Sequence, residues 1–332
     1  MGLLEITAIV VASFGSAWVG TYCARSAAYR LGLVSEPNPI VPQHQQSTAY
    51  LGGIGVLVGV LVGVIVGSLL GQEIERAAWF CVMAASFTVL GLVDDIKVLG
   101  VGTKFCCQAV LAIIVGYEFA GNLTGIGILD TFLAAFWVLV LVNAYNFTDV
   151  CDGLLAGIAA AAGLVWSLMA DVGSATSLIF ASACVGFLPF NMPRASVFLG
   201  DAGSHLLGFC MAVLSLEAVS ISPIGAVVLA QLGLWGGVPL FELTFITVAR
   251  VKKNLPWWRG SPDHFSLRLQ SAGWNRLKID LITWTAMAGS VALGWTLPRL
   301  ASPWHAVVIV LAILAVLMVA ARLWRYDVEP GG

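Results

Sequence analysis

The chain has 332 residues, 59% of them hydrophobic and only 10% charged, with a mean hydropathy of +0.94. A soluble domain carries roughly 25% charged residues, so this composition excludes a water-soluble globule and describes an all-α, polytopic integral membrane protein, with apolar residues for about ten spans of ~20 residues. Sixteen Lys and Arg against 18 Asp and Glu give a formal charge of -2, which argues against a nucleic-acid partner.

Read in order, about eleven apolar runs of spanning length lie near 3–24, 51–71, 77–93, 105–121, 131–147, 154–170, 176–190, 204–220, 224–249, 279–297 and 305–324. The opening MGLLEITAIV carries Glu5 and no basic region, so the first run reads as a permanent span and not a cleaved signal. With the N-terminus outside, Arg76 and Arg299 are the two outside basic residues, and the other 14 of 16 fall inside, as the positive-inside rule requires. No internal repeat or low-complexity linker divides the chain, so residues 1–332 are read as a single transmembrane domain. In the second run Gly55, Gly59, Gly63, Gly67 and Gly71 recur every four residues. That stripe suits close helix packing; a nucleotide-binding loop would need a Lys-Ser/Thr that is missing. The seven cysteines show no CxxC pair or zinc spacing. Cys23, Cys81, Cys106, Cys107, Cys184 and Cys210 lie in or beside apolar runs and are expected as buried thiols, not disulfides.

Carboxylates are costly in a membrane protein, so their positions are informative. Asp94 and Asp95 end the third span in GLVDDIKVLG, Asp149 and Asp152 end the fifth in NAYNFTDVCDGLL, and Asp201 ends the seventh in FLGDAGSHLLG. The topology puts all five on the cytoplasmic face. A single Asp at a helix end is explained by capping; five on one side, with no counterpart on the other, are not. Carboxylates and asparagines gathered in this way suit a hard cation such as Mg²⁺, which takes one or two carboxylates and completes its shell with substrate phosphates and water. Adjacent Asp94 and Asp95 repel one another, which favours a base, although Lys97 and a bound metal oppose that effect. Lys97 and Lys104 offer point charges for phosphate. Anchoring of the spans explains Lys97 equally well and Lys104 less well.

The motifs GLVDDIKVLG, TKFCCQ, NAYNFTDVCDGL and FLGDAGS, in this order and preceded by STAYLGGIGVL, resemble the polyprenyl-phosphate N-acetylhexosamine-1-phosphate transferases. The resemblance runs from about residue 47 to 274 and is strongest towards the bacterial undecaprenyl-phosphate GlcNAc-1-phosphate transferases. It implies a UDP-amino sugar and a polyprenyl phosphate meeting at the cytoplasmic face of the inner (plasma) membrane, with Mg²⁺ or Mn²⁺ as cofactor and a homodimer as an allowed assembly. The lipid phosphate would attack the β-phosphorus next to the sugar and release UMP, a reaction governed by positioning and charge neutralisation. Carried over by motif, Asp201 and Asn146 resemble the metal ligands. Asp94 resembles the base or lipid-phosphate organiser, with Asp95 beside it as a second catalytic candidate, and Lys104 faces phosphate. Asp149 lines the sugar-nucleotide site, Asp152 and Phe198 resemble the uracil contacts, and Asn143 braces the loop. Core packing explains Phe198 equally well.

The sequence also departs from that family. Its bacterial members carry two or three clustered histidines in the last large cytoplasmic loop, whereas SPDHFSLRLQSAGW has His264 alone, with Ser266 and Leu267 in the further positions. His264 and Arg268 are the remaining candidates for the donor diphosphate or sugar, and the loss argues against the peptidoglycan branch. The basic residue usual before the second span is missing from VPQHQQSTAY, with His44 as its one substitute. Arg250, Lys252, Lys253 and Arg259 beside Trp257 and Trp258 suit the lipid headgroup layer. Other readings are weaker. A secondary transporter places its carboxylates near the midplane, and the acids that could lie deep, Glu118, Glu217 and Glu242, form no motif. A CDP-alcohol phosphotransferase needs more than DGLLAG, and an inactive scaffold is compatible with the missing histidines but is opposed by the presence of all five motif aspartates. A phospho-MurNAc-pentapeptide transferase-like enzyme stays as the second enzymatic reading.

Overall fold

In lipid, a spanning segment satisfies its backbone hydrogen bonds internally, so uninterrupted apolar runs become helices. The computed structural model describes residues 1–36, 46–74, 76–119, 121, 123–170, 174–219, 224–256, 258–326 and 328. The described helices are α1 (Leu3–Leu31), α2 (Gly52–Leu69), α3 (Ala77–Lys97), α4 (Val101–Phe119), α5 (Gly127–Thr148), α6 (Leu154–Met169), α7 (Ser174–Asn191), α8 (Gly200–Val219), α9 (Ala226–Lys252), α10 (Phe265–Ser271), α11 (Arg276–Thr296) and α12 (Ser302–Leu323). The one sheet among these residues is a short antiparallel pair, β1 (Val34–Ser35) and β2 (Thr48–Ala49), with Val34 opposite Ala49. The all-α expectation holds, but the count of eleven spans does not carry over. Among the described residues nine helices are long and apolar enough to cross a membrane. Helix α6 has only 16 residues, and α11 starts with Arg276, Lys278 and Asp280.

Helix α8 is the axis of the bundle, buried over nearly its whole length against α2, α3 and α5. The glycine stripe of α2 serves packing: a Cβ at Gly55 would lie 2.1 Å from Thr21 Oγ1, and one at Gly63 would lie 2.2 Å from Ser13 Oγ. Gly71, grouped with the stripe on spacing, falls beyond the end of α2 and has open space around it. Helix α9, expected as one run, is broken at Gly237 (φ 34°, ψ -119°), two residues before Pro239. Proline lacks an N–H and clashes with the preceding turn; beside the break, the carbonyl of Leu234 accepts a 2.6 Å hydrogen bond from Ser290 Oγ of α11. Helix α12 packs loosely on the outside, with Leu323 its one buried residue. All seven cysteines are free. Of the six expected to be buried, Cys184 and Cys210 are, Cys81 is half-buried, and Cys23, Cys106 and Cys107 face outward from their helices.

Candidate active site

Small residues bring three helix ends together. Gly91 of α3 lies against the carbonyl of Asp201 so closely that a Cβ there would be 2.2 Å from the oxygen. A Cβ at Gly53 of α2 would be 2.2 Å from the nitrogen of Gly203. Backbone hydrogen bonds from Gly52 and Gly53 to Phe198 and Leu199, and from Phe198 to Ala49, tie the α7–α8 connection to the hairpin. Gly200 then turns the chain with φ 73° into α8. Asp201, read from the sequence as the end of a span, therefore sits in the first turn of the next helix. Across the α3–α8 contact, Asp95 Oδ1 accepts from Asp201 N at 2.9 Å and Oδ2 from Ala202 N at 3.1 Å. Asp95 thus caps α8 from another helix, a favourable place for negative charge.

The remaining charges form one cluster. Lys104 Nζ of α4 reaches Asp94 Oδ2 at 2.8 Å and also pairs with Asp201 Oδ2. Asp94 Oδ1 accepts from Leu99 N at 2.6 Å. Asn146 Nδ2 of α5 donates to Asp201 Oδ1 at 2.7 Å and to Ser204 Oγ at 3.0 Å. Beneath this lies a buried polar layer: Asn143 Nδ2 donates to Gln108 Oε1 at 3.0 Å, and Gln108 Nε2 meets His205 Nε2 at 3.2 Å. Asn143 therefore braces α4 against α5, and not the loop as expected.

Beside the cluster opens a cavity of about 590 Å³, walled by Tyr50, Asp95, Asp149, Asp152, Phe198, Asp201 and His264 among others. Asp149 follows the last residue of α5. Burial, then the nearby carboxylates of Asp201, Asp95 and Asp152, hold its carboxyl well above the ordinary range. Asp152 Oδ2 accepts from Arg276 Nη1 at 2.7 Å and from Ala195 N at 3.2 Å. On the far wall His264 Nδ1 lies 2.5 Å from Glu242 Oε1.

Six of the sequence candidates thus line the cavity (Asp95, Asp149, Asp152, Phe198, Asp201 and His264), and Asp94, Lys104 and Asn146 join them through Asp201. Arg268 does not. Its guanidinium is buried, with Nη2 on Asp263 Oδ1 at 2.6 Å and Nη1 on the Tyr326 carbonyl at 2.6 Å, over the Trp324 ring. The structure does not bring it to the cavity wall; its fork is engaged with Asp263 and with carbonyls at the end of α12. His44 and Trp257 lie outside the described residues. Sequence reasoning missed Gln108, Ser204, His205, Glu242, Asp263 and Arg276. Helical spacing held a signal for two of these: Gln108 follows Lys104 by four residues and His205 follows Asp201 by four, so each shares its partner's face. Glu242, Asp263 and Arg276 meet partners distant in the chain or in irregular loops and had no such mark.

The fold and site together define a polytopic helical membrane protein with an acidic, lysine-bridged centre at one end of the bundle. Residues 77–219, which run from the first residue of α3 to the last of α8 and carry most of the site, match the model of glycosyl transferase family 4. The chain is 27% identical over 315 residues to the undecaprenyl-phosphate alpha-N-acetylglucosaminyl 1-phosphate transferase of Escherichia coli (strain K12), covering 86% of this chain and 82% of that protein. With the protein of the same description from Escherichia coli O157:H7 it shares 26% identity, covering 98% of this chain and 94% of the other. It is 35% identical to the phospho-N-acetylmuramoyl-pentapeptide-transferase of Staphylococcus saprophyticus over 159 residues, 45% of this chain and 46% of that one.

Proposed function

We propose that the protein transfers N-acetylhexosamine 1-phosphate, most closely GlcNAc 1-phosphate, from a UDP-sugar to undecaprenyl or another polyprenyl phosphate, releasing UMP. The observation that carries this reading is the Asp94–Lys104–Asp201 bridge, joined by Asn146 and Ser204 at the mouth of the cavity. The family and the named relatives support the same reaction. The bundle end carrying the site also carries Lys97, Lys104, Arg194, Arg250, Lys253 and Arg276, whereas Arg76 and Arg299 lie at the other end. That asymmetry supports a cytoplasmic site.

The donor set fits a divalent cation. Lys104 shows that a positive group is held against Asp94 and Asp201, and Asn146 and Ser204 add neutral oxygen donors next to Asp201. Among the described residues no three His, Cys, Asp or Glu converge on one point. An ion here would depend on phosphate oxygens for much of its shell, as Mg²⁺ does in phosphoryl transfer. Asp201, with Asn146 turned to present its oxygen, would hold Mg²⁺, which supplies neutralisation of the diphosphate charge. Asp95 is committed to the α8 N-terminus and acts as frame. Asp94 stands next to Lys104, where it orders the acceptor phosphate while the ammonium screens its charge. Asp152 and Phe198 form the wall suited to the uracil, and His264 faces the donor diphosphate.

The test is reconstitution of purified protein with Mg²⁺, undecaprenyl phosphate and a panel of UDP-amino sugars, including UDP-MurNAc-pentapeptide, followed by UMP release. The expected result is turnover with a UDP-HexNAc that needs both the lipid and the cation. The stretch matching the pentapeptide transferase favours a second reading, and turnover confined to UDP-MurNAc-pentapeptide would establish it instead. No turnover with any donor would overturn both. For orientation, cysteines introduced near Lys97 and Arg259 should react only with reagents that reach the cytoplasm, and one near Glu73 from outside; outside labelling at Arg259 would reverse the topology.

A further inference from the structure

Glu242 is the sole acidic residue of α9 and is 1% exposed. A carboxylate so deep in an apolar segment is costly unless a partner holds it. Its Oε1 lies 2.5 Å from His264 Nδ1 and its Oε2 accepts from Phe265 N at 3.3 Å. It lies beyond the break at Gly237, on the helical segment that runs towards the site end. His264 in turn is 8% exposed and borders the cavity. With Nδ1 committed to Glu242, Nε2 is the ring nitrogen left for a ligand in that cavity.

We propose that Glu242 is a positioning residue for the transfer reaction. By accepting the Nδ1 proton of His264 it fixes the ring's tautomer and direction, so that Nε2 meets the diphosphate of the donor. A ring nitrogen's state is set by the hydrogen bond its partner nitrogen makes, and outer partners of this kind orient the groups that touch a ligand. Nε2 can donate to the diphosphate only while it also carries a proton, and the Glu242 carboxylate on Nδ1 then lies opposite the phosphate across the ring. The proposal rests on the reading of the protein as a sugar-1-phosphate transferase.

Its test combines kinetics with a direct view of the ring. Steady-state turnover of UDP-GlcNAc with undecaprenyl phosphate and Mg²⁺ is compared among the wild type, Glu242→Gln, His264→Ala and the double variant. Each single variant should lose about 10- to 100-fold in kcat/KM for the donor, with KM for the lipid unchanged. The double variant should be no worse than His264→Ala, because Glu242 has nothing left to position. Losses that multiply would show Glu242 acting apart from His264 and would overturn the proposal, as would normal kinetics in Glu242→Gln. In ¹⁵N-histidine spectra the His264 signal, assigned by its loss in His264→Ala, should show a proton on Nδ1; a ring protonated on Nε2 alone contradicts the pair even if Glu242→Gln does not fold. An inactive wild type with every donor removes the functional reading and the proposal with it, while the ring spectrum still reports whether the pair exists.

Discussion

The two walls of the cavity are built on opposite electrostatic plans. The wall formed by α3, α4, α5 and α8 pairs Asp94 and Asp201 with the ammonium of Lys104 and sets Asp95 and Asp149 beside Asp201. Its partner wall, the loop between α9 and α11, closes its own charges: Asp263 with Lys253 and Arg268, and Glu242 with His264. The first wall is short of positive charge and is suited to receive a cation and phosphates. The second is neutralised internally and is suited to hold shape. Helix position explains the contrast, since glycine contacts force the acidic ends of α3 and α8 together, whereas the loop draws its partners from its own charges.

Gly91→Ala puts a Cβ where the Asp201 carbonyl now lies, 2.2 Å away, so α3 and α8 must separate. A shift of about 1 Å in a positioned group costs roughly 10²-fold in rate. Turnover should fall by about that factor while the helical circular dichroism is retained; normal turnover would show that the α3–α8 approach does not set the site. Lys104→Met removes the ammonium and leaves Asp94 and Asp201 facing each other. We expect turnover to drop roughly 10- to 100-fold, and added Mg²⁺ to raise the thermal midpoint of this variant more than that of the wild type. Equal Mg²⁺ shifts would separate the lysine from the cation site.

On the closed wall the expected effect is on folding. Arg268 and Asp263 are 2% and 1% exposed in their side chains, and breaking a buried pair from one side typically costs about 3–5 kcal/mol. Arg268→Met should destabilise the protein by that order and loosen the end of α12, with KM for the donor unchanged in the folded fraction. A raised donor KM with unchanged stability would return Arg268 to the cavity.

The smallest effect distinguishes the walls by pH. Asp149 is held high, first by burial and then by its carboxylate neighbours. The folded chain keeps this proton above the ~3.9 at which the unfolded chain releases it, so the Asp149 contribution to stability falls as pH rises through that window. Burial also opposes ionisation of Asp263, but the pairing with Lys253 and then Arg268 outweighs it and holds Asp263 low. Its contribution is therefore present above ~3.9 and lost as pH falls through the folded value. Without divalent cation at neutral pH, Asp149→Asn should gain stability and Asp263→Asn should lose it, read from thermal unfolding between about pH 4 and 8. Shifts of the same sign in both variants would contradict the contrast.

The same contrast explains what was legible in the sequence. Asp94, Asp95, Asn146 and Asp201 stand in short motifs at helix ends, where local pattern and position coincide. The helices themselves follow from apolar run length, apart from α6, which is short, and α11, whose first turns are charged. The break in α9 had its signal in WGGVP, a glycine pair followed by proline, within a run apolar enough to read as continuous. Arg268 was singled out because a charged residue near a motif histidine reads as a ligand contact, whereas the structure places it behind the cavity wall. Its true partners, Asp263 and the carbonyls at the end of α12, are fixed only when the distant C-terminal helix packs against the loop. Glu242 was legible as a deep acid, but not as the partner of His264, because His264 stands 22 positions further on, after the chain leaves helix α9 and passes through an irregular loop.

The central claim is that the open acidic wall holds a cation for phosphosugar transfer, and its most direct test is Asp201→Asn. Turnover of UDP-GlcNAc with undecaprenyl phosphate should be measured across a Mg²⁺ titration for the variant and the wild type. The account predicts a loss of about 10²- to 10³-fold with the Mg²⁺ response weakened and the fold intact, because a neutral amide binds the ion poorly. Near-normal turnover with an unchanged Mg²⁺ dependence would contradict it.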